Sequence, residues 1–305
     1  MKQIKYFVLM LVFAVLLSFS SCVWEEKNVI SAGDLESEFS QVSDRGEPVI
    51  TDPDADYGEM DVVLFQVGKA DASIIKTENH VVMIDTGDDD DGELLVEYLR
   101  QKRINTIDYL IVTHYDNDHV GGADYVFNQC AVNCVIQPDC QDRGDQYEQY
   151  VVSRENSGAE VVNLAGRDLE FEFDGVNFCV YGHSKQGYVS GANDYSLGLK
   201  VVHGERSLFF AGDAMDARLA EMLEIENLQS DFLKTPEHGD FKKLTESFIR
   251  AVNPYYAVIT DSKRNPGSQK TYALYKSIGC DVYSTNTGNV YIKSDGKVFE
   301  ITQAS

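Results

Sequence analysis

Residues 107–122 read IDYLIVTHYDNDHVGG. An apolar run rich in branched residues stops at Thr113, and the next six positions hold His114, Asp116, Asp118 and His119. Imidazole nitrogens and carboxylate oxygens suit divalent first-row metals. A His-x-Asp-x-Asp-His loop therefore offers four ligands from one tight turn. Gly121 and Gly122 allow close backbone approach and an immediate helix start. Alone, the loop also fits a polar turn whose aspartates cap a helix. Two distant segments weigh against that. "LFFAGDA" ends an apolar strand in Asp213, and "FLKTPEHGD" ends another in His238 followed by Gly239. Three strand ends with metal-capable residues predict a dinuclear site in which one carboxylate bridges two ions.

Such residues need rigid elements behind them. "DVVLFQVG", "ASIIKT" and "HVVMIDTG" are short strand-like runs divided by turn residues. "GELLVEYLRQKRI" has helical spacing, "IDYLIVT" is a strand, and "GGADYVF" begins a helix. Further strands are expected in "VVNLA", "LEFEFDGVNFCVYG", "YSLGLKVVHGERSLFFAGD", "DFLKTPEHG" and "YYAVIT". "LTESFIRAV" and "KTYALYKSIG" are helical, and the end of the chain closes with a hairpin pair. Strands with interspersed helices indicate α/β or α+β layering. "DDDDG" at 88–92 reads as a solvated loop.

The chain has 305 residues, 43% of them apolar, enough for a substantial core. Its 26 Lys and Arg face 50 Asp and Glu, a net charge of −24. That surface repels phosphate polymers at long range, so tight binding of long nucleic acid is not expected. A phosphoester in a metal-lined cleft is still allowed, because bound cations dominate the local field.

The first 21 residues read as a secretion signal: Lys2 and Lys5, then "YFVLMLVFAVLLSF", then small residues before Cys22. "SFSSC" resembles the lipobox of bacterial lipoproteins, with Phe19 where Leu is usual. The resemblance implies cleavage before Cys22, lipidation of its thiol and an extracytoplasmic protein anchored in the bacterial envelope. An ordinary signal peptide or a membrane anchor is the alternative. Residues 22–58 form a polar, acidic tether, and 59–305 are the folded domain. Five cysteines remain, an odd number; "CAVNC" with Cys140 fits no common zinc spacing. Buried small hydrophobes or one disulfide are expected instead.

The ordered motifs "IDTG", "THYDNDHVGG", "AGD" and "EHG" resemble the metallo-β-lactamase superfamily. "FQVGKADASIIKT", "NDYSLGLKV" and "VYSTNTGNVYIKSDG" look like the branch found in ComEC-type DNA-uptake competence proteins. The resemblance covers roughly residues 60–301 and implies a four-layer αββα sandwich holding two divalent ions, Zn or Mn. It makes His114 and Asp116 ligands of a first metal. Asp118, His119 and His238 serve a second, and Asp213 bridges both. Asp85 is implied in catalysis by orienting a ligand or the reacting water, with Asp71 in a similar supporting role. The chain departs from the family in places. A third histidine for the first metal is missing, and Asn193 or Asp194 stands near its position. His183 could reach in, although a surface loop position is also compatible. Glu237 replaces the first histidine of "HHG", and Lys69 replaces a common Gln. His80 and His203 lie in turn-like contexts and are expected to be exposed.

The expected chemistry is hydrolysis by a metal-bridged hydroxide, with Asp118 orienting it or accepting its proton. Lys263 and Arg264, just after "YYAVITD", could bind an anionic substrate, or belong to the solvated surface. The substrate implied is a small-molecule or cell-wall phosphoester. A carboxylester or lactone hydrolase with the same site, and a metal-weakened binding protein without activity, are the alternatives.

Overall fold

The computed structural model describes residues 55–141 and 143–304. The signal-like segment and Cys22 lie outside these residues. Two mixed sheets form the frame. The first takes β1 (Met60–Leu64), β2 (Ala72–Lys76), β3 (Val81–Thr86), β4 (Thr106–Ile111), β5 (Ala131–Pro138) and β6 (Glu160–Leu164). The second takes β7 (Leu169–Phe173), β8 (Val176–Tyr181), β9 (Gly198–His203), β10 (Arg206–Phe210), β11 (Phe232–Lys234), β12 (Tyr256–Ile259) and β13 (Asp281–Ser284). The chain then returns to the first sheet as the hairpin β14 (Val290–Ser294) and β15 (Phe299–Gln303). The strand orders are β15-β14-β1-β2-β3-β4-β5-β6 and β13-β12-β11-β10-β9-β8-β7.

Both sheets are antiparallel in one part and parallel in the other. β3 through β6 pair in parallel, as do β10 through β13. A parallel neighbour needs a crossover, and a helix supplies each one. α1 (Gly92–Gln101) joins β3 to β4. The short α2 (Asn117–Val120) and α3 (Ala123–Gln129) join β4 to β5, and α4 (Tyr147–Ser157) joins β5 to β6. In the second half α5 (Asp216–Met222), α6 (Thr245–Val252) and α7 (Gln269–Ile278) do the same.

The period of two along a strand sorts side chains into layers. In β1, Val62 and Leu64 enter the core between the sheets, while Val63 faces the α1 side. In β10, Leu208 and Phe210 point between the sheets and Phe209 points to the α5–α6 side. Leu95, Leu99 and Val126 close one outer layer; Leu219, Phe248 and Tyr275 close the other. The order is αββα, as the resemblance implied. Fully burying a side chain the size of Phe178 or Phe232 contributes about 1.5–3 kcal/mol, and the inter-sheet layer holds both.

Several elements differ from the sequence reading. β5 and α4 were given no element there. β13 leaves the closing segment for the second sheet, so only β14 and β15 form the expected hairpin. The acidic run at 88–91 has no buried residue, as expected of a solvated segment, and forms a 3-10 turn capped by Asp88. His203 is buried: Ser294 Oγ lies 2.9 Å from Nδ1, and Nε2 is 2.9 Å from the Tyr57 carbonyl oxygen. Both polar ring atoms therefore have partners, which is what allows a turn histidine to go inside. Cys130, Cys134 and Cys280 are buried free thiols, and Cys179 is a half-buried one. No helix among the described residues is long and apolar enough to cross a membrane.

Candidate metal centre

The carboxyl ends of the parallel strands from both sheets meet at one point. Asp85 ends β3, and the His114–His119 loop follows β4. Asp213 follows β10, His238 follows β11, and Thr260 follows β12. In open α/β sheets this edge is where ligands bind, because loops there can aim side chains outward from a rigid base.

Asp118, His119, Asp213 and His238 each present one ligand atom, all within 4.8 Å of one another. His238 Nε2 lies 2.8 Å from Asp213 Oδ2 and 3.3 Å from Asp118 Oδ2, and His119 Nε2 lies 3.4 Å from Asp213 Oδ2. Donors about 2.1 Å from a tetrahedral ion lie roughly 3.4 Å apart. The Nε2 atoms of His114, His119 and His238 are buried and make no hydrogen bond. Buried polar atoms without partners are rare and costly. Two of these, on His119 and His238, lie beside carboxylate oxygens that approach without hydrogen-bond geometry and fit a divalent cation; the His114 ring lies 4.0 Å from that of His119.

The opposite ring nitrogens are tied down. His119 Nδ1 is 2.7 Å from Asp85 Oδ2. Asp85 also accepts from the Thr113 N–H and hydroxyl, both at 2.7 Å, and is fully buried. It touches no open space, so it is a positioning residue behind His119 rather than a group that meets substrate. His238 Nδ1 donates to the Thr260 carbonyl at 2.8 Å. His114 Nδ1 is 3.1 Å from the Thr113 hydroxyl. Each anchor leaves Nε2 free to face the centre.

The backbone is strained here. Asp85, Glu237 and His238 adopt φ of 55°, 49° and 49°, beside Gly212 at 54° and Gly239 at 81°. Left-handed backbone in non-glycine residues costs about 1–3 kcal/mol and persists where surroundings enforce it. In the "TPEHG" turn it swings the imidazole back over the end of β11.

Lys234 completes the floor. It closes β11 with 2% exposure and contacts Asp71 Oδ2, Asp213 Oδ1 (3.3 Å) and the Gly212 carbonyl (3.0 Å). Sequence reasoning missed it. The available signal was a lysine inside the apolar run "DFLKTP", since lysine is almost never buried unless paired. Asp71 lies beside it, with Oδ1 3.6 Å from His238 Nδ1.

Charges set the protonation of the metal-free centre. Burial pushes the Asp118 carboxyl up, but the facing His238 and His119 imidazoles outweigh it and bring it to about 2. Burial pulls the His238 imidazole down, but Asp213 and Asp71 outweigh it and raise it to about 9. Burial and the Asp213 charge both push the Glu237 carboxyl up.

The other expected residues are placed as follows. His114 is buried, and its Nε2 lies 3.6 Å from Asp116 Oδ2, whose side chain is 37% exposed. Asn193 Nδ2 donates to Glu237 Oε2 at 2.6 Å, so its amide is tied to the residue before His238. Asp194 Oδ1 accepts from the Arg218 N–H at 3.0 Å, an orphan donor in the first turn of α5, while its Oδ2 is buried without a hydrogen bond. His183 is neither in the centre nor on the surface: it is buried, with Nδ1 2.7 Å from the Lys185 carbonyl and its ring packed on Tyr195. Lys263 and Arg264 are exposed in the loop before α7.

The model of the metallo-beta-lactamase superfamily matches residues 66–259, a span that includes every residue of the centre up to His238. Recombination protein 2 of Haemophilus influenzae is 26% identical over 218 residues, 70% of this chain and 25% of its own length. Competence protein ComA of Neisseria gonorrhoeae is 26% identical over 224 residues, 72% of this chain and 30% of its own. The chain thus spans less than a third of these curated relatives. Among solved structures, the metallo-beta-lactamase fold protein YhfI of Bacillus subtilis aligns with a TM-score of 0.48 at 10% identity, covering 80% of this chain and all of that one. With the αββα order and the converging strand ends, the match to the superfamily model leads to one assignment: the chain belongs to the metallo-β-lactamase superfamily and has its metal-dependent hydrolase fold.

Proposed function

We propose that this protein is an envelope-anchored, metal-dependent hydrolase acting on phosphodiesters of small molecules or of the cell wall. The observation that carries the metal dependence is the pair of buried Nε2 atoms on His119 and His238, which make no hydrogen bond and lie beside Asp118 and Asp213. Asp118, His119, Asp213 and His238 would hold one divalent ion. His114 and Asp116 would hold a second, with Asp213 between the two. Bound there, Zn or Mn supplies Lewis acidity to the scissile ester and makes a water acidic enough to deprotonate near neutral pH.

The chain's own residues do the rest. Asp85 and the Thr260 carbonyl keep both imidazoles in the tautomer that leaves Nε2 unprotonated. Asp118 has a third of its side chain exposed and stays ionised, so it can accept a proton from an incoming water. Lys69 stands 4.0 Å from Glu237, next to His238 in the chain, and is a candidate cation for an anionic substrate beside the exposed Lys263 and Arg264. The preference for phosphorus over a carbonyl comes from the likeness to the competence branch. The net charge of −24 favours a short substrate over a nucleic-acid track. Attachment through Cys22 is supported by the lipobox-like "SFSSC".

The test is a panel of chromogenic phosphodiester, phosphomonoester, carboxylester and lactam substrates, run with Mn²⁺ and with Zn²⁺. Phosphodiester turnover is expected, lost on chelation and in His119→Ala. Turnover of the carboxylester alone would move the reading to an esterase. No uptake of either ion would leave a binding protein.

A further inference from the structure

Asp71, Asp85 and Asp213 are buried beside His119, with Asp118 at the mouth. Carboxylates this close repel one another and have lost much of their hydration. A metal offsets both costs, but the chain must fold before a metal arrives. Lys234 is the buried lysine at this point, a cation beside the His119 and His238 imidazoles, and the reaction outlined above does not use it. Its Nζ contacts Asp71 Oδ2, Asp213 Oδ1 and the Gly212 carbonyl oxygen, an acceptor for each of an ammonium's three donors. The opposite oxygen, Asp213 Oδ2, faces His119 and His238. The lysine thus holds one oxygen of the shared carboxylate and leaves the other toward the ion position.

We infer that Lys234 is a resident cation: it holds the metal-free centre assembled and keeps the affinity for divalent ions below what the bare carboxylate set would have. It is a positioning residue, acting through Asp71 and Asp213. The inference rests on the reading that this centre holds metal.

A neutral side chain of similar length has two effects of opposite sign. Without ions, Asp71 and Asp213 lose the ammonium they share and keep only the imidazoles on their other oxygens, and the stripped protein weakens. With ions, the centre is more negative, and an incoming cation is held more tightly. A lysine with a merely structural role would move both quantities the same way, because a damaged site also binds worse.

The experiment uses the full chain in mild detergent, stripped with chelator, melted, and titrated with Mn²⁺ and Zn²⁺ by calorimetry. Lys234→Met is expected to lower the melting temperature of the stripped protein by roughly 10 °C. Its first ion is expected to bind at least about tenfold more tightly, with unchanged stoichiometry. Adding Asp71→Asn to Lys234→Met should restore most of the melting temperature and return affinity toward the parent, as coupled neighbours do. Equal or weaker affinity in Lys234→Met overturns the inference. Should that variant not fold when stripped, the comparison passes to the double variant against Asp71→Asn alone. Tighter binding in the double supports the inference, and equal or weaker binding overturns it. A parent that takes up neither ion sinks the metal reading itself, and the melting cycle still decides whether Lys234 and Asp71 are coupled. No coupling there overturns the inference in either case.

Discussion

The two sides of the centre are built differently. On one side Asp118, His119, Asp213 and His238 come from three strand ends and lie within 4.8 Å of one another. Their imidazoles are held from behind by Asp85 and the Thr260 carbonyl. On the other side His114 and Asp116 come from one loop, 3.6 Å apart, with Asp116 well exposed. The residues near a third position there are engaged elsewhere: Asn193 by Glu237, Asp194 by the start of α5. A ligand set drawn from several rigid elements is assembled by the fold itself. A set drawn from one loop waits for the ion to order it, and pays that entropy on binding. Metal titration is therefore expected to show one tight ion and a second that binds more weakly.

The sharpest way to break the ordered side is Asp85→Ala. The change strips an acceptor from the Thr113 N–H, the Thr113 hydroxyl and His119 Nδ1 in a fully buried place. Leaving such groups unsatisfied costs about 1–3 kcal/mol each, so a loss of at least about 3 kcal/mol is expected in denaturant unfolding. Affinity for the tight ion should fall about 10–100-fold, the usual effect of removing an orienting carboxylate. Unchanged affinity would mean that Asp85 does not orient His119.

Acidity reads the same side in the stripped protein. The His238 imidazole is raised to about 9, above its ordinary 6.5, so the folded state holds this proton more tightly than the unfolded chain. The stability it contributes is full below pH 6.5 and is lost as pH rises through 9, with a slope of up to about 1.4 kcal/mol per pH unit. Metal binding needs the neutral ring, so ion affinity should rise across the same window. Chemical denaturation and metal titration between pH 6.5 and 9 should therefore move in opposite directions. Parallel trends would exclude His238 from the ion's ligands.

How much of this was legible in the sequence follows from the same contrast. Strands with alternating patterns, such as β7 and β8, and loops dense in His and Asp could be read directly, because their signal is local. β5 could not: its residues from Cys134 to Pro138 are buried on both faces, so it lacks a period-two pattern. α4 has Tyr150 as its buried residue and no apolar stripe to betray a helix. Lys234 and Asp71 are neighbours only after two sheets have stacked, and no local pattern records that pairing. Asp194 looked like a spare ligand because a sequence does not show which carboxylates a helix start will take. His203 looked exposed because its partners, Tyr57 and Ser294, are remote in the chain.

Gly212→Ala tests the residue the two sides share. Gly212 has φ of 54°, and an added Cβ would lie 3.0 Å from Ser196 and 3.1 Å from Thr113 side-chain atoms. Strain and crowding together are expected to cost about 1–3 kcal/mol. Because Asp213 follows directly, both ions should weaken by similar factors. A loss confined to one ion would show that Asp213 serves only that one.

The smallest effect on stability, and the cleanest separation of the two sides, is expected from Asp116→Ala. Its side chain is 37% exposed, and its near neighbour is His114 Nε2 at 3.6 Å. Truncating an exposed carboxylate that bonds to little else normally changes stability by no more than about 0.5 kcal/mol. It also lowers the crowding of negative charge in a chain that already carries −24. The stripped variant should therefore unfold like the parent. Ion content should fall toward one per chain, because His114 alone cannot hold the weaker ion, while the tight ion remains with His119 and His238. Hydrolysis should drop far more than stability does, since a developing negative charge then meets one cation where two were available. Two ions retained at parental affinity would place the second one outside the His114–Asp116 loop.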